Sequence, residues 1–156
     1  MKLSWFSFYD LVLALWVGGM AIFTFVVTPI IFRSYGWDMA GEIVGKLFPG
    51  YFLYNLVLAA AALVLYFLLS GDRSAFMSRL SLVLLSTALI INMYIVFKLH
   101  PEAVRIKQAV TSFEKESLDS PARKEFRRVH GVSAVLNLIL IVEGATLLVM
   151  SPLLRK

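Results

Sequence analysis

Four apolar stretches decide what this chain can fold into. At 9–32, 51–69, 80–97 and 129–150 the sequence runs for about 20 residues with almost no charge, the length an α-helix needs to cross the roughly 30 Å hydrocarbon core of a bilayer. Inside lipid every backbone N–H and C=O must be satisfied within the spanning segment, so stretches of this kind become helices. Composition agrees, with 60% hydrophobic residues and 16% charged, against about 45–50% apolar in an ordinary soluble domain. Four spans in 156 residues leave no room for a soluble domain. The expected fold is all-α: an integral membrane four-helix bundle of up-down topology, one transmembrane domain over 1–156. The first span reads as a retained helix rather than a cleavable signal peptide, because its apolar core is long and no small-x-small cleavage site closes it before Arg33.

Basic residues set the expected orientation. The connections after spans one and three carry two and eight Lys or Arg, against five on the opposite side. The positive-inside rule then puts these connections in the cytoplasm and both termini outside, in a plasma or inner membrane. The partners implied are the lipid bilayer and anionic headgroups on the cytoplasmic side, which suit a pI near 9.6; a homo-oligomer is left open. No nucleic-acid motif is present.

Between and within the spans, local chemistry adds detail. Asp10 reads as a hydrated boundary charge, and Ala14 with Gly18 form a small-x-x-x-small pair suited to close helix packing. Thr24 and Thr28 can return hydroxyls to the backbone near Pro29, where a kink is expected. Residues 37–48 are amphipathic and predict a short interfacial helix broken or kinked at Pro49. Ser70, Gly71 and Asp72 read as a tight outer turn. Residues 103–117 continue in helical style, and Ser120 reads as the cap of a helix with Pro121 in its first turn, giving a cytoplasmic helical hairpin between spans three and four.

Polar residues inside the spans are the candidates for chemistry. His130, Ser133, Asn137 and Gly144 share one narrow face of the last span at 100° per residue. Counted from the cytoplasmic ends, Thr28, Asn55, Asn92 and Asn137 lie 4 to 8 residues deep on four different helices, about 6 to 12 Å below one surface at 1.5 Å per residue. The three carboxamides cannot face lipid unsatisfied and are expected to meet in a polar layer beneath His130 and Ser133. That layer reads either as a ligand-binding site or as a dry hydrogen-bond clasp fixing helix register. Glu143 lies 13 residues after His130, roughly 20 Å along the axis and about 140° around it; it is a separate candidate, for a proton role. His130 and His100 are the candidate metal or haem ligands. Cysteine is absent, which removes thiolate sites. No paired carboxylates, Ser-His-Asp set or His-Glu-x-x-His string supports a hydrolytic enzyme.

A family resemblance rests on named strings: Phe32-Arg33-Ser34, Lys46-Leu47-Phe48-Pro49, Phe113-Glu114-Lys115-Glu116, and Phe126-Arg127-Arg128 leading to His130-Gly131, Ser133 and Asn137-Leu138. They resemble the transmembrane protein 205-like family, small four-helix membrane proteins catalogued as a domain of unknown function. The resemblance implies the fold and suggests metal or drug handling, since family members are linked to resistance to platinum drugs. Trp16-Val17-Gly18-Gly19 is distantly similar to copper resistance D and HemJ-type membrane proteins, the latter haem-binding, although the first span here holds no histidine. The functions in view are a small transporter or export and resistance accessory with a polar site in the cytoplasmic half, a haem- or copper-binding redox protein using His130, and a structural or lipid-interacting subunit.

Overall fold

Each apolar stretch is the middle of a longer helix. The computed structural model describes residues 2–69 and 76–155, and no strand occurs among them. The first helix runs Lys2–Ile22, passes through a π-helical turn at Phe23–Val27 and ends as Thr28–Ser34; the second is Trp37–Leu69. The third is Phe76–Tyr94, a π turn at Ile95–Leu99, then His100–Gln108. The fourth is Pro121–Met150, closed by a 3-10 turn at Ser151–Arg155. All four are long and apolar enough to cross a membrane, which makes this an integral membrane protein.

Proline explains both π turns. Pro29 and Pro101 each stand two residues after one, and a proline ring crowds the carbonyl four residues back while offering no N–H. Widening the preceding turn by one residue relieves that crowding. Thr28 N–H accordingly bonds to Phe23 O and His100 N–H to Ile95 O, five residues back in each case. What the sequence reads as a kink at Pro29 is this π turn.

Pro49 behaves differently and corrects the expectation of a separate interfacial helix. Residues 37–48 are the first turns of the 33-residue second helix, which continues through Pro49. The segment is held from outside, because Lys107 Nζ donates to Gly41 O at 2.7 Å and Asp38 accepts from Ser112 Oγ at 2.6 Å and Phe113 N at 2.5 Å. With those contacts fixing the helix start, the missing donor at exposed Pro49 does not break it. The same contacts shorten the expected helical hairpin: the third helix ends at Gln108, not near Ser117, since Ser112 and Phe113 bond to Asp38 rather than along a helix. Ser120 caps the fourth helix as its sequence predicts, accepting from Arg123 N, with Pro121 following. The outer turn at 70–72 lies outside the described residues.

The first helix packs mainly on the second and fourth, and the third on the same two, so the first and third stand at opposite corners. Helix ends are pinned by polar contacts: Tyr66 OH donates to Ser78 O at 2.6 Å, and Ser151 donates to Asp10. Asp10 is thus bonded, not merely hydrated. Because lipid is as apolar as leucine, association rests on close packing. Trp16, Leu85, Leu140, Ala59, Ala62 and Ala88 fill the interior, each at 0–1% exposure. The small-residue contacts differ from the sequence reading. Ala14 is exposed and Gly18 has open space, whereas a Cβ on Gly144 would meet Val17 Cγ2 at 2.8 Å and one on Gly19 would meet the Tyr54 ring at 2.6 Å. Val142, Val149, Leu68 and Phe97 point outward, as lipid-facing residues do.

Candidate functional site

Asn137 is the centre of a polar layer in the bundle. Its Oδ1 accepts from Tyr51 OH at 2.5 Å, and its Nδ2 donates to Thr24 Oγ1 at 2.9 Å, which ties the fourth helix to the second and the first. Asn55 stands one turn after Tyr51 on the second helix. Asn55 and Asn92 are 1% and 2% exposed, so both carboxamides point inward. Asn92 Nδ2 donates back to Ala88 O at 2.8 Å. Its depth follows from the contact of Thr87 with Glu143: five residues along the third helix and six back along the fourth bring Asn92 and Asn137 to one level.

One atom in this layer is left over. Asn55 Oδ1 is buried and accepts no hydrogen bond, a state that costs about 1–3 kcal/mol in a folded protein. Both π turns border the layer. Thr24 lies inside the first, and the second begins three residues after Asn92. Bulged turns of this kind recur at functional sites because they re-aim side chains without ending the helix.

Not every candidate belongs here. Thr28 is half-buried and makes no bond to the layer; Thr24, one turn earlier, takes its place. A depth count that assumes uniform α-helical rise and rotation misses this, because the π turn changes both. Tyr51, at the start of the apolar stretch 51–69, supplies the hydroxyl that donates to Asn137. His130 is exposed with its ring stacked on Phe126, centroids 5.8 Å apart, and Ser133 is half-buried; neither bonds to the layer. His100 is half-buried against Phe52 and Phe48 of the second helix, at 5.3 and 6.4 Å. Glu143 faces the third helix through Thr87, and His130 lies about 140° around from it. The two histidines therefore address different neighbours. Among the described residues no group of three or more His, Asp or Glu is placed to hold a metal ion.

Glu143 has its own surroundings. Thr87 Oγ1 lies 2.8 Å from Oε1, while Oε2 is buried without a partner. Deeper toward the other end of the bundle are groups that the sequence does not single out. Tyr9 OH and Trp16 Nε1 are buried and unpartnered, and Tyr66 contacts both the carbonyl and the hydroxyl of Ser78. Apolar spans hide such residues, since Tyr and Trp are also the ordinary residues of a membrane interface.

Comparison with known proteins gives one match. A family model described as a domain of unknown function (DUF4149) covers residues 11–112, which includes Thr24, Asn55 and Asn92 and ends before the fourth helix. No curated protein and no solved structure matches.

Proposed function

The chain belongs to the DUF4149 family of unknown function, and from that premise we propose that it is a small transporter or export accessory whose cargo binds at the Thr24, Tyr51, Asn55, Asn92 and Asn137 layer. The observation that carries this is Asn55 Oδ1, a buried acceptor left open where its neighbours are bonded. A buried acceptor calls for a donor, so the cargo presents an N–H or O–H group, as a small amphiphile or a metal ammine complex does. No ion pair lies in the layer among the described residues, and recognition is by hydrogen bonding. The resemblance to the transmembrane protein 205-like family adds the suggestion of metal or drug resistance. His130 and Ser133 stand at the cytoplasmic approach to the layer. The two π turns, on diagonally opposite helices, are the points at which the cytoplasmic ends can swing to admit a ligand.

In this reading the bundle crosses the membrane four times in up-down order, with both termini outside and the basic connections on anionic cytoplasmic lipid. The test is uptake by proteoliposomes of a platinum ammine complex and of a fluorescent cationic amphiphile, comparing the parent protein with Asn55→Leu. Folded Asn55→Leu protein that has lost uptake is the expected result. Equal uptake by both proteins removes Asn55 from the site. The haem- or copper-binding alternative, with His130 and His100 as ligands, is tested by the absorption spectrum of the purified protein; a Soret band would establish haem in place of the cargo reading.

A further inference from the structure

The contact between Thr87 and Glu143 can be made in two ways. Thr87 Oγ1 lies 2.8 Å from Glu143 Oε1 and 3.0 Å from each of the carbonyls of Val83 and Leu84. A threonine hydroxyl carries one hydrogen and two acceptor lone pairs. When that hydrogen points at Glu143, the carboxylate is the acceptor. When it turns to the carbonyls of its own helix, the hydroxyl oxygen is free to accept, and the carboxyl group must donate. The same geometry therefore holds both the ionised and the protonated side chain, with only a rotation of one O–H.

We propose that Glu143 is a reversible proton-binding site near the middle of the membrane, with Thr87 as the partner that satisfies it in either state. The proton bonds to Oε1 and is donated to Thr87 Oγ1; on release, the O–H of Thr87 swings back to Oε1. A second observation points the same way. Oε2 is buried and has no partner; in the ionised form it is a bare charged oxygen, and in the protonated form it is an ordinary carbonyl oxygen. A carboxyl group within a membrane span is costly unless it has such a use.

The third helix offers Thr87, and the first offers Trp16 and Val17 beside neighbouring Gly144. No cation pairs with Glu143 among the described residues. The titratable groups described in this half include Tyr9, Tyr66, Asp10 and Arg79; Arg79 is exposed eight residues before Thr87 on the third helix, and Asp10 is bonded to Ser151, eight residues or about 12 Å further along the axis than Glu143. On the other side, Asn137 lies six residues or about 9 Å away, past fully buried Leu140. The polar groups toward Ser151 make that end the route for the proton. This inference does not depend on the cargo reading, because it concerns a different carboxyl and a different pair of helices.

Dicyclohexylcarbodiimide, which adds to protonated carboxyl groups in apolar surroundings, tests it on the whole protein in nanodiscs, with mass spectrometry of the fourth-helix peptide. Modification of Glu143 is expected at low pH and is expected to fall at least tenfold as pH rises. Thr87→Ser should keep the parent profile, whereas Thr87→Val, which offers neither donor nor acceptor, should displace its midpoint. Asn55→Leu should leave the profile unchanged even if it abolishes uptake. Absence of modification at any pH, modification that does not vary with pH, or identical midpoints for Thr87→Ser and Thr87→Val overturns the proposal.

Discussion

Replacing Asn137 by leucine separates the two roles that a polar layer can have. The substitution removes the acceptor of Tyr51 OH and the donor to Thr24, at 2.5 and 2.9 Å. Hydrogen bonds between membrane helices are worth about 0.6 kcal/mol on average and up to about 1.7. Two of them account for about 1–3 kcal/mol, and an interior Tyr51 hydroxyl with fewer partners adds to the cost. A loss of about 2 kcal/mol is expected, roughly a 30-fold fall in the folded ratio. Asn55→Leu should behave differently, because its Oδ1 has no partner to lose; its expected change is under about 1 kcal/mol. Reversible unfolding in mixed micelles measures both. A double-mutant cycle of Tyr51→Phe with Asn137→Leu should give a coupling of about 0.6–1.7 kcal/mol. If Asn137→Leu lies within about 0.5 kcal/mol of the parent, the observed bonds contribute nothing to stability and the layer is not a clasp.

Two glycines should respond in opposite directions. Gly18→Ala meets nothing within 4 Å and should stabilise by up to about 1 kcal/mol through helix propensity. Gly144→Ala pushes Val17 Cγ2 from 2.8 Å and should cost about 1–3 kcal/mol from overpacking before that gain is subtracted; the same unfolding assay reads both. In the connection at 109–120, the Ser120 hydroxyl and then the backbone of Thr111 and Ser112 hold the Glu116 carboxyl below its ordinary range. The contribution is complete above the unfolded value of about 4.3 and lost as pH falls through the lower folded value. Amide exchange of residues 111–120 should therefore accelerate on acidification, and Glu116→Gln should flatten that dependence. For orientation, single cysteines at Ser4 and Ser117 of this cysteine-free chain should label from opposite sides of the membrane; labelling from one side contradicts the up-down reading.

Sequence alone determined that four helices form and that three carboxamides turn inward. Both follow from solvation: lipid accepts neither open backbone nor bare amides, so apolar length and polar position are sufficient signals. It also determined the Ser120 cap, which depends on neighbours along one helix. Tertiary structure decided the partners. Thr24 rather than Thr28 reaches Asn137 because a π turn resets the helix rotation, and a turn that depends on how a proline is accommodated has no one-dimensional period. The second helix runs through Pro49 because Lys107 and Ser112, some 60 residues away or more, bond to its first turns. Glu143 gained a two-way partner in Thr87, 56 residues distant, because packing of the third helix on the fourth set the register between them. Solvation acts on each residue where it stands in the chain, whereas a hydrogen bond between helices exists only once packing has brought two distant residues to the same depth and face.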